Sequence, residues 1–177
     1  MRQNFRTKIY LACSEDSEKL KYVYIQDGYI YATNAYIVVK QSLENFCDCI
    51  NKENLEGKKI LADNFEKVYK YDFVEVDEHF LKCYNEGAAE EFATFEITEI
   101  EEKINFEEVI QKGYNHEAVQ AIGIDERELN TIVKCLSGDS KIALYFNGVT
   151  SIIRVESMNE GEQLGFILPI PIEQPMF

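Results

Sequence analysis

The segment YIYATNAYIVVK, residues 29–40, decides how the rest of this sequence is read. Tyr, Ile and Val dominate it on both sides of one small polar triplet, Thr33-Asn34-Ala35. Aromatic and β-branched runs favour strands, so the triplet reads as a turn, with Asn suited to a left-handed turn position. Upstream, KYVYIQ (21–26) meets the segment across Asp27-Gly28, a strong hairpin signal because both turn positions want φ > 0. With KIYLAC (8–13) read as a further strand, the first quarter is a β-meander.

Downstream the period changes. In SLENFCDCIN (42–51), Leu43, Phe46, Cys47 and Ile50 recur at helical spacing while Glu44 and Asp48 lie opposite, which predicts a short helix. KKILAD (58–63) reads as a strand, with Asp63 or Asn64 capping the helix NFEKVYKY (64–71). FVEVDEHFLKCY (73–84) and EEFATFEITEI (90–100) follow as strands, turned at Asn85-Glu86-Gly87, and FEEVIQ (106–111) as a short extended piece. AVQAIGI (118–124) reads as a strand. Asp125 caps a helix over 126–136 whose buried stripe is Leu129, Ile132, Val133 and Leu136, ended by Ser137-Gly138-Asp139. KIALYF, a tight turn at Asn147-Gly148, TSIIRVES and QLGFILPIPI then give three antiparallel strands. Residues 58–111 and 118–172 thus each read strand, helix, three strands, and 7–40 reads as the same unit without its leading strand and helix.

Composition narrows the class. Apolar residues make up 46% of the 177, with 11 Phe and 11 Tyr, ample for a packed core. A net charge of −14 weighs against nonspecific adhesion to nucleic acid or anionic membrane, although a local basic stripe remains compatible with it. No run approaches the ~20 apolar residues of a membrane span, and the apolar start is too short for a signal peptide. Cys13, Cys47, Cys49, Cys83 and Cys135 have no framework or zinc spacing, so reduced thiols in a cytoplasmic protein are expected.

A repeated βαβββ unit resembles the building block of DNA sliding clamps, and local sequence supports the likeness. Ala32-Thr33-Asn34-Ala35-Tyr36-Ile37-Val38-Val39 resembles the A-T-D-G-H-R-L-A pattern of the bacterial β subunit of DNA polymerase III. Phe106 to Gln111 resembles its Y-x-x-V-I/L-P, Ile124 to Leu129 its I-D-R-x-x-L, and Phe166 to Ile172 its closing V-V-M-P-M-R-L. Asn34 stands for the pattern's Asp, Ala35 for Gly, Ile37 for Arg and Gln111 for Pro. The expected fold class is α+β: DNA-clamp-like βαβββ repeats, antiparallel sheets with helices packed on one face. The expected organisation is a clamp-like domain over 1–112, its first half-repeat truncated, and a C-terminal βαβββ half-domain over 113–177. A family clamp chain has three such domains, so ring closure here would need a homo-oligomer or exchange of half-domains.

The resemblance implies two sites. One is an apolar cleft for a short Q-x-x-L/M-F-type peptide of a DNA polymerase or other clamp-binding protein. Its positions here are Thr33, Ala35, Tyr36, Ile37, Val38, Val109, Phe166, Leu168, Pro169 and Ile170; read alone, the same alternating residues describe a plain core. The other is a face contacting the backbone of double-stranded DNA weakly through Lys67 and Lys70 on one helix and Arg127 and Lys134 on another; read alone, these are solvated charges beside Glu66, Glu126 and Glu128. The Met-Phe of EQPMF (173–177) resembles the end of such a peptide, and self-docking of this tail is a further expectation.

The leading function is a non-catalytic, sliding-clamp-like tether of DNA replication and polymerase processivity. The alternative is an interaction module that binds clamp-client peptides without encircling DNA. No phosphate-loop, dinucleotide, nucleophile-elbow or HExxH motif is present, so no enzyme, cofactor, metal or membrane partner is expected.

Overall fold

The computed structural model describes residues 3–86, 93–112, 114, 122–136, 141–148, 150–158 and 163–170. Asp27 and Gly28 have φ of 54° and 78° and close the hairpin between β1 (Tyr22–Gln26) and β2 (Tyr29–Thr33). β3 (Ile37–Ser42) follows the Thr33-Asn34-Ala35 turn, and Ser42 caps the short helix α1 (Leu43–Phe46) by accepting from the Asn45 N–H. The helix expected over 42–51 stops there because its backbone is claimed elsewhere. Cys47 bridges Phe5, Asp48 N–H donates to Asn4 O at 3.1 Å, and Ile50 N–H donates to Val74 O at 2.9 Å.

β4 (Lys58–Leu61) runs straight into α2 (Ala62–Val68). The cap position falls on Leu61, with no side-chain cap, and the Ala62 N–H goes to Lys21 O at 2.9 Å; Asp63 and Asn64 therefore lie inside the first turn. FVEVDEHFLKCY is a hairpin rather than one strand: β5 (Phe73–Val76) and β6 (Phe80–Tyr84) pair across Asp77, whose N–H donates to Phe80 O at 2.8 Å. β7 (Ala93–Glu96) completes this sheet, while the two-residue β8 (Thr98–Glu99) leaves it to pair with β4.

Two other expectations change. KIYLAC is a 3-10 turn over Ile9–Ala12, opened by Thr7 Oγ1 accepting from the Ile9 N–H at 3.0 Å. FEEVIQ is helix α3 (Phe106–Lys112). Asn105 caps it by accepting from the Glu108 N–H at 3.2 Å, while its Nδ2 donates to the Glu108 carboxylate at 3.3 Å, a reciprocal cap that starts a helix. Asp125 caps α4 (Glu126–Cys135) by accepting from the Arg127 N–H, and the fully buried side of that helix is Ile132, Cys135 and Leu136, with Leu129 half-buried. β9 (Ile142–Tyr145), β10 (Ile153–Ser157) and β11 (Gln163–Ile167) are antiparallel as expected. β9 ends at Tyr145 and β10 begins at Ile153, so the two strands lie further apart in sequence than the tight turn expected at Asn147-Gly148 requires. The end of α4 at 137–139, most of the strand expected at 118–124 and the tail 173–177 lie outside the described residues.

The strands form an eight-stranded antiparallel sheet, β8-β4-β1-β2-β3-β11-β10-β9, and a three-stranded one, β5-β6-β7. β3 pairs with β11 along Ile37 to Gln41, so the large sheet runs unbroken across residue 112. Its inner face buries Val23, Ile25, Ile30, Val39, Ile60 and Val155 beneath Phe65 and Val68 of α2 and the buried side of α4. Gly165 makes that contact possible: a Cβ there would lie 2.4 Å from Ile132 Cγ2. The outer face carries Tyr24, Tyr31, Val38 and Phe166 beneath Phe106 and Ile110 of α3. Among the described residues, no helix is long and apolar enough to cross a membrane. The architecture is α+β with antiparallel sheets, as expected, but the helices lie on both faces rather than one, because Phe106 and Ile110 give α3 an apolar side that packs on the outer face.

Candidate functional site

The Thr33-Asn34-Ala35 turn is held by its own side chains. Asn34 Oδ1 accepts from the N–H groups of Tyr36 and Ile37, both at 3.0 Å. Thr33 Oγ1 accepts from the Ala35 N–H at 3.1 Å and donates to Ile37 O at 2.7 Å. The left-handed residue is Ala35, with φ of 77°, and not Asn34, whose carboxamide is occupied as an acceptor. This conformation lifts Tyr36 out of the sheet and leaves it 63% exposed.

Beside the turn, α3 and the end of β11 converge on the outer face. Tyr31 stacks on Phe106 at 4.5 Å between centroids with the planes 2° apart, and its hydroxyl donates to Glu107 at 2.8 Å. Lys40 holds the same carboxylate at 2.7 Å while lying 3.9 Å from the Tyr29 ring centroid. Lys40 first and then the Tyr31 hydroxyl hold the Glu107 carboxyl below its ordinary pKa, against burial; burial followed by the Glu107 hydrogen bond raises the Tyr31 phenol. These contacts fix the register of α3 and bring Val109 to the turn.

The result is an apolar depression of about 80 Å³ lined by Ala35, Tyr36, Ile37, Val38, Val109, Ile152, Phe166, Ile167 and Leu168. Its floor is buried, whereas Leu168 is 46% exposed and stands on the rim with Tyr36, to whose carbonyl its N–H donates at 3.0 Å. The volume is far below the ~300 Å³ of a small-molecule site and accommodates one apolar side chain. Of the residues expected at the cleft, Ala35, Tyr36, Ile37, Val38, Val109, Phe166 and Leu168 come together. Thr33 is instead buried beneath the turn as a hydrogen-bonding brace. Pro169 and Ile170 lie beyond it, where the Ile170 N–H donates to Gly123 O at 2.9 Å. Ile152 and Ile167 were not anticipated; they arrive through the β10–β11 register, which sets Ile153 opposite Ile167.

Two larger concavities lie elsewhere. One of about 510 Å³ is bordered by Glu15, Asp63 and Glu66, and one of about 370 Å³ by Lys40, Glu156 and Gln163. The smaller depression differs from both in being lined by apolar side chains and in having an exposed apolar rim at Tyr36 and Leu168.

α2 and α4 cover the same side of the large sheet; Lys67, Arg127 and Lys134 stand exposed on them, while Lys70, expected on the same helix as Lys67, is exposed just past the end of α2. The stripe is interleaved with carboxylates: Lys70 pairs with Glu66 at 3.4 Å, and Glu126 and Glu128 flank Arg127. Nucleophilic chemistry finds little support in the thiols. Burial pushes Cys13 and Cys135 to about 12; Cys47 is lowered beside Cys49, but it is fully buried.

No family model matches the chain. No curated protein matches it by sequence. Solved structures do match. The DNA polymerase sliding clamp of Pseudomonas aeruginosa superposes with a TM-score of 0.60 at 8% identity, over 93% of this chain and 62% of that one. The sliding clamp of Bacillus subtilis gives 0.59 at 11% identity, over 95% and 61%. The DNA polymerase III β subunit of Thermotoga maritima gives 0.56 at 11% identity, over 98% and 63%. This chain therefore spans about three-fifths of the length of the clamps it matches. Its fold is that of the bacterial DNA sliding clamps.

Proposed function

We propose that this chain is a non-catalytic, clamp-like tether that captures partner proteins by seating an apolar side chain of a short peptide in the cleft between the β2–β3 turn, α3 and β11. The observation that carries the reading is the convergence of three segments distant in sequence, 35–38, Val109 and 166–168, on one apolar depression with an exposed rim. By likeness to the DNA polymerase sliding clamps, the partner is a DNA polymerase or another clamp-binding protein, and the peptide is of the Q-x-x-L/M-F type. With Ile37 where the resemblance has Arg, affinity rests on apolar fit. The test is titration of a fluorescent Q-x-x-L-F peptide with the full chain. Saturable binding weakened about tenfold or more by Leu168→Asp, a rim change that leaves the floor intact, supports the reading. Binding indifferent to that substitution refutes it.

A second reading adds DNA at the side bearing α2 and α4, through a homo-oligomer of the 1–112 and 113–177 units closed around the duplex. It is favoured by Lys67, Lys70, Arg127 and Lys134 standing exposed on one side of the sheet. The interleaved carboxylates keep such contact weak, so retention of duplex DNA at low salt should disappear at physiological salt. Retention unchanged between the two rules this surface out.

A further inference from the structure

We propose that Glu128, in the first turn of α4, is a positioning residue for the rim of the cleft. The use of that rim rests on the peptide-capture reading; the contact itself does not. Ala35 holds a left-handed backbone that alanine enters only at a cost, and such a residue persists only where its surroundings over-determine it. Inside the turn, the Thr33 and Asn34 bonds fix its shape but not its seat against the rest of the fold. Among the described residues, two bonds reach outward from it. The Leu168 N–H donates to Tyr36 O at 3.0 Å, tying the turn to the other half of the rim. Asn34 Nδ2 donates to Glu128 Oε2 at 3.0 Å, tying it to a helix anchored by Ile132, Cys135 and Leu136 on the inner face.

The second bond also sets the carboxamide. Asn34 has one acceptor end and one donor end. A carboxylate accepts only, so Glu128 draws the NH₂ toward itself and leaves Oδ1 for the Tyr36 and Ile37 N–H groups. A flipped amide would set oxygen against carboxylate and NH₂ against two N–H donors. An aspartate at this position could still brace the turn, but its second oxygen would face Glu128. Asn34 and Glu128 are thus a matched pair, which accounts for Asn where the resemblance has Asp.

The experiment compares the full-length chain with Glu128→Ala, Glu128→Gln, Asn34→Asp and the double variant Asn34→Asp/Glu128→Gln. Amide hydrogen exchange is followed over residues 29–40, and affinity is measured for the labelled Q-x-x-L-F peptide. Glu128→Ala and Asn34→Asp should each speed exchange of the Tyr36 and Ile37 amides about tenfold while core amides keep their rates. Glu128→Gln, which retains an acceptor, should stay near wild type. The double variant, in which an amide NH₂ faces the introduced carboxylate, should recover most of what Asn34→Asp loses. Peptide affinity should follow the same order. Wild-type exchange rates in both Glu128→Ala and Asn34→Asp overturn the proposal. Faster exchange in a chain that binds no peptide upholds the positioning role and refutes the cleft's use.

Discussion

Ala35 is the residue on which the turn's shape depends. A left-handed conformation costs an L-residue roughly 1–2 kcal/mol, and glycine avoids that cost at the expense of about 0.4–1 kcal/mol in the unfolded chain. Ala35→Gly should therefore stabilise the protein by about 0.5 kcal/mol in urea unfolding. Ala35→Val, a β-branched residue at φ of 77°, should destabilise it by about 1 kcal/mol or more. The local sequence identified the turn but not its left-handed residue. Asn34 is the better left-handed former in isolation, yet its carboxamide is committed to the Tyr36 and Ile37 amides. A second residue-scale expectation concerns alkali. Burial raises the Tyr24 phenol to about 12, and Tyr31 is raised as well. A group whose pKa is raised by folding contributes stability that is complete below its unfolded pKa of ~10 and is lost as pH climbs through the folded value. Denaturant midpoints should hold to pH ~10 and fall between there and about 12, and Tyr24→Phe should flatten that decline. An unaltered decline in the variant contradicts this.

At the scale of elements, α3 decides whether the cleft exists. Removing its reciprocal cap by Asn105→Ala should cost about 1 kcal/mol and loosen Val109 against the turn, read as lower stability together with weaker peptide binding. The signal for this helix was present in the sequence, in Asn105 three residues before Glu108 and in Phe106, Val109 and Ile110 at helical spacing. Six residues are too few for periodicity alone to separate that helix from the short extended piece expected at FEEVIQ. β1 to β3 were readable because alternation and Asp27-Gly28 are local signals. The short 3-10 turn at Ile9–Ala12 was not, since six apolar-rich residues fit either period and Thr7, whose hydroxyl also donates to Gln41 at 2.5 Å, settles the matter through tertiary contact. α4 on β11 offers a further test. Gly165→Ala places a methyl against Ile132 and should cost about 1–3 kcal/mol. Ile132→Ala in the same chain should offset part of that loss, so the pair is less than additive.

For the whole molecule, topology explains both what could be read and what could not. The repeated strand-helix-strands order was visible in sequence and survives in β4-α2-β5-β6-β7, despite the shifted strand assignments. What no local pattern could reveal is that β3 pairs with β11. That pairing sets Val38 opposite Phe166, and the neighbouring register adds Ile152 and Ile167 to the cleft. The Asn34–Glu128 contact, spanning 94 residues, was hidden for the same reason. The cleft is therefore a product of long-range pairing, and its segments should lose binding together when that pairing is disturbed. The most direct measurement is a methyl-resolved NMR titration with the Q-x-x-L-F peptide. Peptide capture predicts saturable shifts at Val38, Val109, Ile152 and Leu168 and unchanged methyls at Ile9, Val74 and Leu81, which lie in the inner core. Saturation without any shift at the cleft methyls, or shifts confined to other surfaces, contradicts it.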